Sequence, residues 1–230
     1  MPLRALVGIE LDEASLKEKA ISALGGLVAI ALVIVISRDA LGGEGAAMII
    51  ASMGASAVLL FAVPHGPLSQ PWPVLMGHLL SAAIGVAAGK VIDNTTLAAA
   101  VAVGLAIGVM HQCKCIHPPG GATALTAVIA GPAVHDLGWS FVWRPVMLDA
   151  LCIVAVAVLF NWPFPWRRYP AALVRRPAPA PAAAGGPTHE EIVAAMRSID
   201  TFIDVSEDDL VRLYRLLADV DPARRAAPPS

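Results

Sequence analysis

The sequence predicts an all-α protein: a polytopic membrane helical bundle of four to six segments with broken or re-entrant helices, plus a short cytoplasmic C-terminal helical hairpin. Three observations carry this. Of 230 residues, 57% are hydrophobic and 15% charged, where a soluble domain carries about a quarter charged residues. The charges are segregated. Between Ala20 and Trp166 the basic residues are Arg38, Lys90, Lys114 and Arg144, and the acids are Asp39, Glu44, Asp93, Asp136 and Asp149. Finally, the apolar sequence is cut by Gly, Pro and polar residues into runs of roughly membrane-spanning length.

The first run, Ala20 to Ser37, measures about 27 Å as a helix, close to the thickness of a bilayer core. It follows an acidic, mixed-charge segment with Glu10, Asp12 and Glu13, so it reads as a retained helix rather than a secretory signal. The second run, Ala46 to Val63, is rich in Gly, Ala and Ser. The third, Val74 to Ile92, follows Pro73, a good first-turn residue. The fourth spans Thr96 to Met110. The fifth, Gly120 to Val134, is short enough to be a half-helix or a tilted, protein-enclosed span. The sixth is Val146 to Phe160. Small residues recur four apart at Gly85/Gly89 and Gly104/Gly108, a spacing that lets helices pack closely in lipid.

Domain boundaries follow the change in composition. Residues 1–17 form a cytoplasmic N-terminal tail, 18–164 the transmembrane domain, and 165–187 a Pro/Ala-rich linker. An acidic helical hairpin occupies 188–221 and a disordered tail 222–230. Thr188-His-Glu-Glu191 and Ser206-Glu-Asp-Asp209 have capping-box form, and each precedes an apolar stripe at helical spacing. Arg4, Lys17 and Lys19 precede the first run, and Arg167, Arg168, Arg175 and Arg176 follow the last. Basic residues stay on the cytoplasmic side. The expectation is a multi-pass protein of the cell membrane with both termini cytoplasmic and an even number of crossings.

The chemistry concentrates at His117-Pro-Pro-Gly-Gly-Ala-Thr123. Pro118 and Pro119 cannot sit inside a regular helix, and Gly120 and Gly121 permit close backbone approach. A helix starting here aims its positive end into the bundle. In lipid such a break is tolerated only against protein or a polar cavity. The word GATA (121–124) is matched by GASA (54–57), each flanked by one apolar helix on either side. If each trio crosses an odd number of times, the two are inverted, a plan in which broken helices meet near the midplane. Two half-helix N-termini, with the Ser56 and Thr123 hydroxyls, would favour a small inorganic anion. The candidate substrate-binding residues are Gly54, Ala55, Ser56, His117, Gly120, Gly121, Ala122 and Thr123, with Ser69, Gln70 and His78 at the rim.

The Pro-rich stretch from Pro64 to Pro73 reads slightly better as a structural turn than as a pore entrance. His78, deep in an apolar run, is the best single candidate for proton coupling. Asp149 is read as pairing with Arg144 near the surface. His111, Cys113, Cys115 and His117 alternate, but neighbours this close do not easily surround one ion, and no second Cys/His cluster exists. No metal or cofactor is therefore assigned. Net charge of −2 gives no nucleic-acid partner, three cysteines give no disulfide framework, and no nucleophile elbow, Walker loop or HExxH points to an enzyme.

Four blocks, HPPGGATAL (117–125), GASAVLLF (54–61), PLSQPWPVLMGH (67–78) and FNW (160–162), resemble the signature blocks of the HPP family of integral membrane proteins, in the same order. The resemblance covers residues 18–164. It implies a small transmembrane bundle and, from plastid and cyanobacterial members, nitrite transport. Where the family often reads HPPAGA this chain reads HPPGGA. Two functions follow as expectations. One is a transporter or channel-like permease for a small monovalent anion, nitrite being the candidate. The other is a non-transporting sensor or scaffold that acts through the C-terminal hairpin on a cytoplasmic partner, with self-association through a small-residue face as a further expectation.

Overall fold

The structure, a computed structural model, describes residues 15–174. The expected C-terminal hairpin and tail, and most of the N-terminal tail, lie outside the described residues. All the described secondary structure is helical. The elements are α1 (Leu16–Ala62), α2 (Pro71–Val91), α3 (Thr95–Gln112), α4 (Pro118–Ile129), α5 (Pro132–His135) and α6 (Leu148–Asn161).

Local chemistry sets the helix starts. Ser15 caps α1 by accepting from the Glu18 amide at 3.2 Å. Asn94 caps α3 by accepting from the Leu97 amide at 2.9 Å. Each satisfies an amide that has no partner within the helix. Helices α2 and α4 instead begin on prolines, whose missing N–H costs nothing there. A turn of π-type, Val142–Met147, leads into α6; it contains Arg144 at φ −139°, ψ 110° and Pro145, and the proline accounts for the kink.

The sequence suggests two helices separated by a loop where the backbone stays helical for 47 residues. A straight helix of that length would reach about 70 Å, and α1 does not. Ser22, Gly26 and Ile30 line one groove with Gly54, Ala57 and Phe61. The run therefore doubles back between Ser37 and Ile49, with Leu16–Val35 and Ile49–Ala62 as antiparallel arms. Both expected helices survive; the expected non-helical loop does not.

Four helical stretches are long and apolar enough to cross a membrane: Leu16–Val35, Pro71–Val91, Thr95–Gln112 and Val142–Asn161. Two shorter ones, Ile49–Ala62 and α4, complete the bundle. Side-chain contacts fix their directions. Arg167, after α6, reaches Glu18 and Ser22 on the first arm and the Phe61 carbonyl on the second. Tyr169 donates to the Ser69 carbonyl at 2.8 Å, and Trp72 to the Cys113 carbonyl at 3.2 Å. One face thus gathers the first arm's start, the second arm's end, the α2 start, the α3 end and the α6 end; we call it the proximal face. Ser37 and Asp149 meet at the distal face, where Lys90 also lies beside Gly138. The six helical stretches alternate in direction, and both described ends lie on the proximal face. First arm, second arm and α2 form one half; α3, α4 and α6 form a second half running the opposite way, as the paired GASA and GATA words suggest.

Helix α4 lies parallel to α2 and very close to it. A side chain at Gly120 would meet the Gly77 carbonyl at 2.9 Å, and one at Gly85 the Ala124 carbonyl at 2.5 Å. Gly77, Ser81, Gly85 and Gly89 repeat every four residues along α2, so its smallest face is the one α4 occupies. Gly104 and Gly108, expected to pack likewise, have nothing within 4 Å and face outward. The packed bundle also runs past residue 164, where the linker is expected to begin: Arg167 and Tyr169 are fully buried.

Candidate functional site

Helix α4 begins beside Gly77, six residues into α2, about 9 Å below the proximal end. The chain between α3 and α4 therefore dips into the bundle and delivers His117, the residue preceding the helix, to the interior. There His117 meets His78 from α2, Ser52 and Ser56 from the second arm of α1, and Thr123 from the second turn of α4. All five side chains are fully buried.

They form one hydrogen-bonded chain. His117 Nδ1 lies 2.9 Å from the Leu68 carbonyl, and its Nε2 lies 2.9 Å from Ser56 Oγ. Ser56 Oγ also lies 2.9 Å from His78 Nε2. His78 Nδ1 lies 2.8 Å from Thr123 Oγ1, which is 2.9 Å from Ser52 Oγ. The two imidazoles stand edge to face with centroids 5.0 Å apart. Among the described residues no carboxylate, ammonium or guanidinium is recorded against either ring. A buried polar network in lipid is costly unless its members satisfy one another, and every ring nitrogen here has a partner.

The expected site residues separate into two sets. Ser56, His78, His117 and Thr123 converge, with His78 at the centre rather than the rim. The others do not. Ala55 is exposed and Gly54 opens on the groove between the two arms of α1. Ser69 Oγ donates to the Leu59 carbonyl, while Gln70 Nε2 donates to the Pro64 and Gly66 carbonyls. Both thus hold the proline-rich turn together, the structural role the sequence favours for that stretch. Gly120 is packed against α2. Gly121 and Ala122 line an apolar groove of about 370 Å³ between α3 and α4, with Val103, Ile107 and Ile116.

The expected amide cradle is corrected in two respects. GASA lies inside the continuous helical run Leu16–Ala62, so it starts no half-helix. At α4 the two prolines themselves remove the first two amide hydrogens, and the third amide, Gly120, already donates to the His117 carbonyl at 2.8 Å. What remains at this point is the positive end of the α4 dipole and side-chain polarity.

Ser52 and the Leu68 carbonyl are not apparent from sequence. Ser52 has a signal, since it stands four residues before Ser56 and shares its helix face. The Leu68 carbonyl has none. His111 and Cys113 are exposed whereas Cys115 and His117 are buried, so the alternating quartet does not gather at one point. Asp149 is buried and accepts from Ser37 at 2.6 Å, while its second oxygen has no hydrogen-bond partner.

A family profile described as HPP, transmembrane region, matches residues 11–170. Two proteins of Dictyostelium discoideum, each described as a transmembrane protein, are similar to this chain. One is 41% identical over 118 residues, covering 50% of this chain and 41% of the relative. The other is 40% identical over 126 residues, covering 53% and 40%. The aligned part of this chain thus spans about two-fifths of the length of these curated relatives. No solved structure matches the chain significantly.

Proposed function

This chain belongs to the HPP family of membrane proteins, and from that premise we propose that it is a permease for a small monovalent anion, nitrite being the leading candidate. Its binding centre is the cluster of Ser56, His78, His117 and Thr123. The observation that carries the reading is the position of His78: one ring nitrogen faces a hydroxyl from the first half of the bundle, the other a hydroxyl from the second. Binding at the interface of inverted halves is a recurring plan for transporters, because rocking one half against the other exposes the same site alternately to each side. Imidazole N–H and hydroxyl donors, with the positive end of α4 beside them, replace part of an anion's hydration shell. Nothing in this scheme calls for bond-making chemistry. The proposal places the chain in the cell membrane, with the proximal face on the cytoplasmic side by the distribution of basic residues.

The test is flux into proteoliposomes of nitrite, nitrate, formate and chloride, comparing the natural chain with His78→Gln. Saturable uptake of at least one anion, lowered roughly tenfold or more in the variant, is the expected result, since losing one buried hydrogen-bond partner costs about 1–3 kcal/mol. No saturable uptake of any of them removes the reading.

A further inference from the structure

The hydrogen-bonded chain through the site has a direction, and the Leu68 carbonyl sets it. A carbonyl only accepts, so His117 Nδ1, 2.9 Å away, carries a hydrogen. In the neutral ring Nε2 is then bare, and the Ser56 hydroxyl donates to it. Ser56 has a single hydrogen, so the His78 Nε2 contact is made by an N–H of His78. That leaves His78 Nδ1 bare, and Thr123 donates to it while accepting from Ser52. One backbone carbonyl thus fixes two tautomers and three hydroxyl orientations.

Each central hydroxyl also has a second acceptor one turn back in its own helix. Ser56 Oγ lies 3.3 Å from the Ser52 carbonyl, and Thr123 Oγ1 lies 3.3 Å from the Pro119 carbonyl. The arrangement is the same in both halves of the bundle. When a ring nitrogen gains a proton, the facing hydroxyl can turn its hydrogen to that carbonyl and accept instead. No heavy atom has to move.

We propose that this cluster is a proton-binding site in which Ser56 and Thr123 are two-position switches, and that it carries one proton with each anion. The proton adds to the lone pair of an imidazole nitrogen and raises the cluster's charge by one; the incoming anion restores neutrality. The stoichiometry follows from the ring separation of 5.0 Å: two adjacent cations repel in a medium of low dielectric, so the pair takes up one proton as a unit. The groups facing the rings are Ser52 and Ser56 from α1, the Leu68 carbonyl from the loop before α2, Thr123 from α4, and each ring itself. The inference rests on the permease reading only for the identity of the companion ion.

The test is nitrogen-15 NMR of the full chain, labelled at histidine and held in lipid nanodiscs, read across a pH titration. At high pH His117 is expected as the Nδ1–H tautomer and His78 as the Nε2–H tautomer, with the pair taking up one proton on acidification. Ser56→Ala, which cuts the chain from the Leu68 carbonyl, should release His78 from its single tautomer, whereas Thr123→Val should leave it Nε2–H. The opposite tautomers in the natural chain, or a His78 signal indifferent to Ser56→Ala, overturns the proposal. In proteoliposomes one proton should enter per nitrite, with no dependence on membrane potential; potential-driven nitrite uptake without protons overturns the coupling. The expected tautomers without flux of any anion leave the proton site standing and remove the permease reading, so the two fail separately.

Discussion

Ser56 Oγ and Thr123 Oγ1 hold opposite nitrogens of one ring, His78, at 2.9 and 2.8 Å. They occupy the same third position in the words GASA and GATA, on helices that run in opposite directions. The two hydroxyls, one from each half of the bundle, meet at the same ring. His78 presents one ring nitrogen to each half. The ring can therefore bond to both halves at once.

Removing either hydroxyl leaves one His78 nitrogen without its partner. Ser56→Ala should be the more damaging, because Ser56 joins both imidazoles whereas Thr123 joins one. Each buried unpaired group costs about 1–3 kcal/mol. The expected outcome is a saturable flux reduced roughly tenfold or more in Ser56→Ala and less in Thr123→Val, read in reconstituted vesicles at matched protein content. Equal or greater loss in Thr123→Val would contradict the order of the chain.

Gly85 is a packing position. A β-carbon there would sit 2.5 Å from the Ala124 carbonyl oxygen and 2.7 Å from Ala127 Cβ. The obstacle is backbone in a neighbouring helix, so it cannot yield as a flexible side chain would. Gly85→Leu should separate α4 from α2 and lower thermal stability by about 1–3 kcal/mol or more. Gly104→Leu, with nothing within 4 Å, should leave the melting temperature of the detergent-solubilised chain nearly unchanged. Similar losses for both would mean that the α3 face is covered.

The class of fold was legible because lipid imposes it: apolar runs of the right length leave few alternatives. The convergence of His117 and Thr123 was legible because two prolines force a helix to start there. His78 was legible as an ionisable group in an apolar run. Gly54 and Ala55 misled for a geometric reason: neighbours along a helix point about 100° apart, so only Ser56 and Ser52 face inward together. The helical character of the reversal in α1 was illegible, since Gly42, Gly43 and Gly45 ordinarily signal a loop. The Leu68 carbonyl was invisible because it belongs to the backbone and owes its role to tertiary position alone.

Arg167 ties three chain segments at the proximal face. Its guanidinium donates to Asn161 at 2.9 Å, to Ser22 at 3.1 Å, and to the Glu18 carboxylate and the Phe61 carbonyl. The arginine is 1% exposed and Glu18 28% exposed, so solvent screens part of the pair. Arg167→Met should cost about 2–4 kcal/mol, below or within the range for breaking a fully buried pair. Arg167→Lys should recover little, because an ammonium lacks the fork that reaches three segments. A thermal melt of the two variants measures both; a lysine variant as stable as the natural chain would show that charge alone suffices.

The cysteines report both packing and sidedness. Cys113 is exposed at the end of α3 on the proximal face, and Cys115, two residues on, is buried. Burial raises the Cys115 thiol above its ordinary pKa, and the neighbouring Cys113 adds to the shift. A raised thiol pKa means less thiolate at neutral pH, so Cys115 should react more slowly even where reagent reaches it. In Cys152→Ser, a membrane-impermeant maleimide should therefore modify one thiol quickly and the second only after denaturation. The proposed cytoplasmic placement of the proximal face adds a second condition. In intact cells Cys113 should be protected, and it should become reactive once the membrane is permeabilised. Rapid labelling of Cys113 in intact cells would invert the orientation while leaving the alternating directions of the six helical stretches unchanged, because that alternation is fixed by contacts such as Arg167 with Phe61 and Trp72 with Cys113.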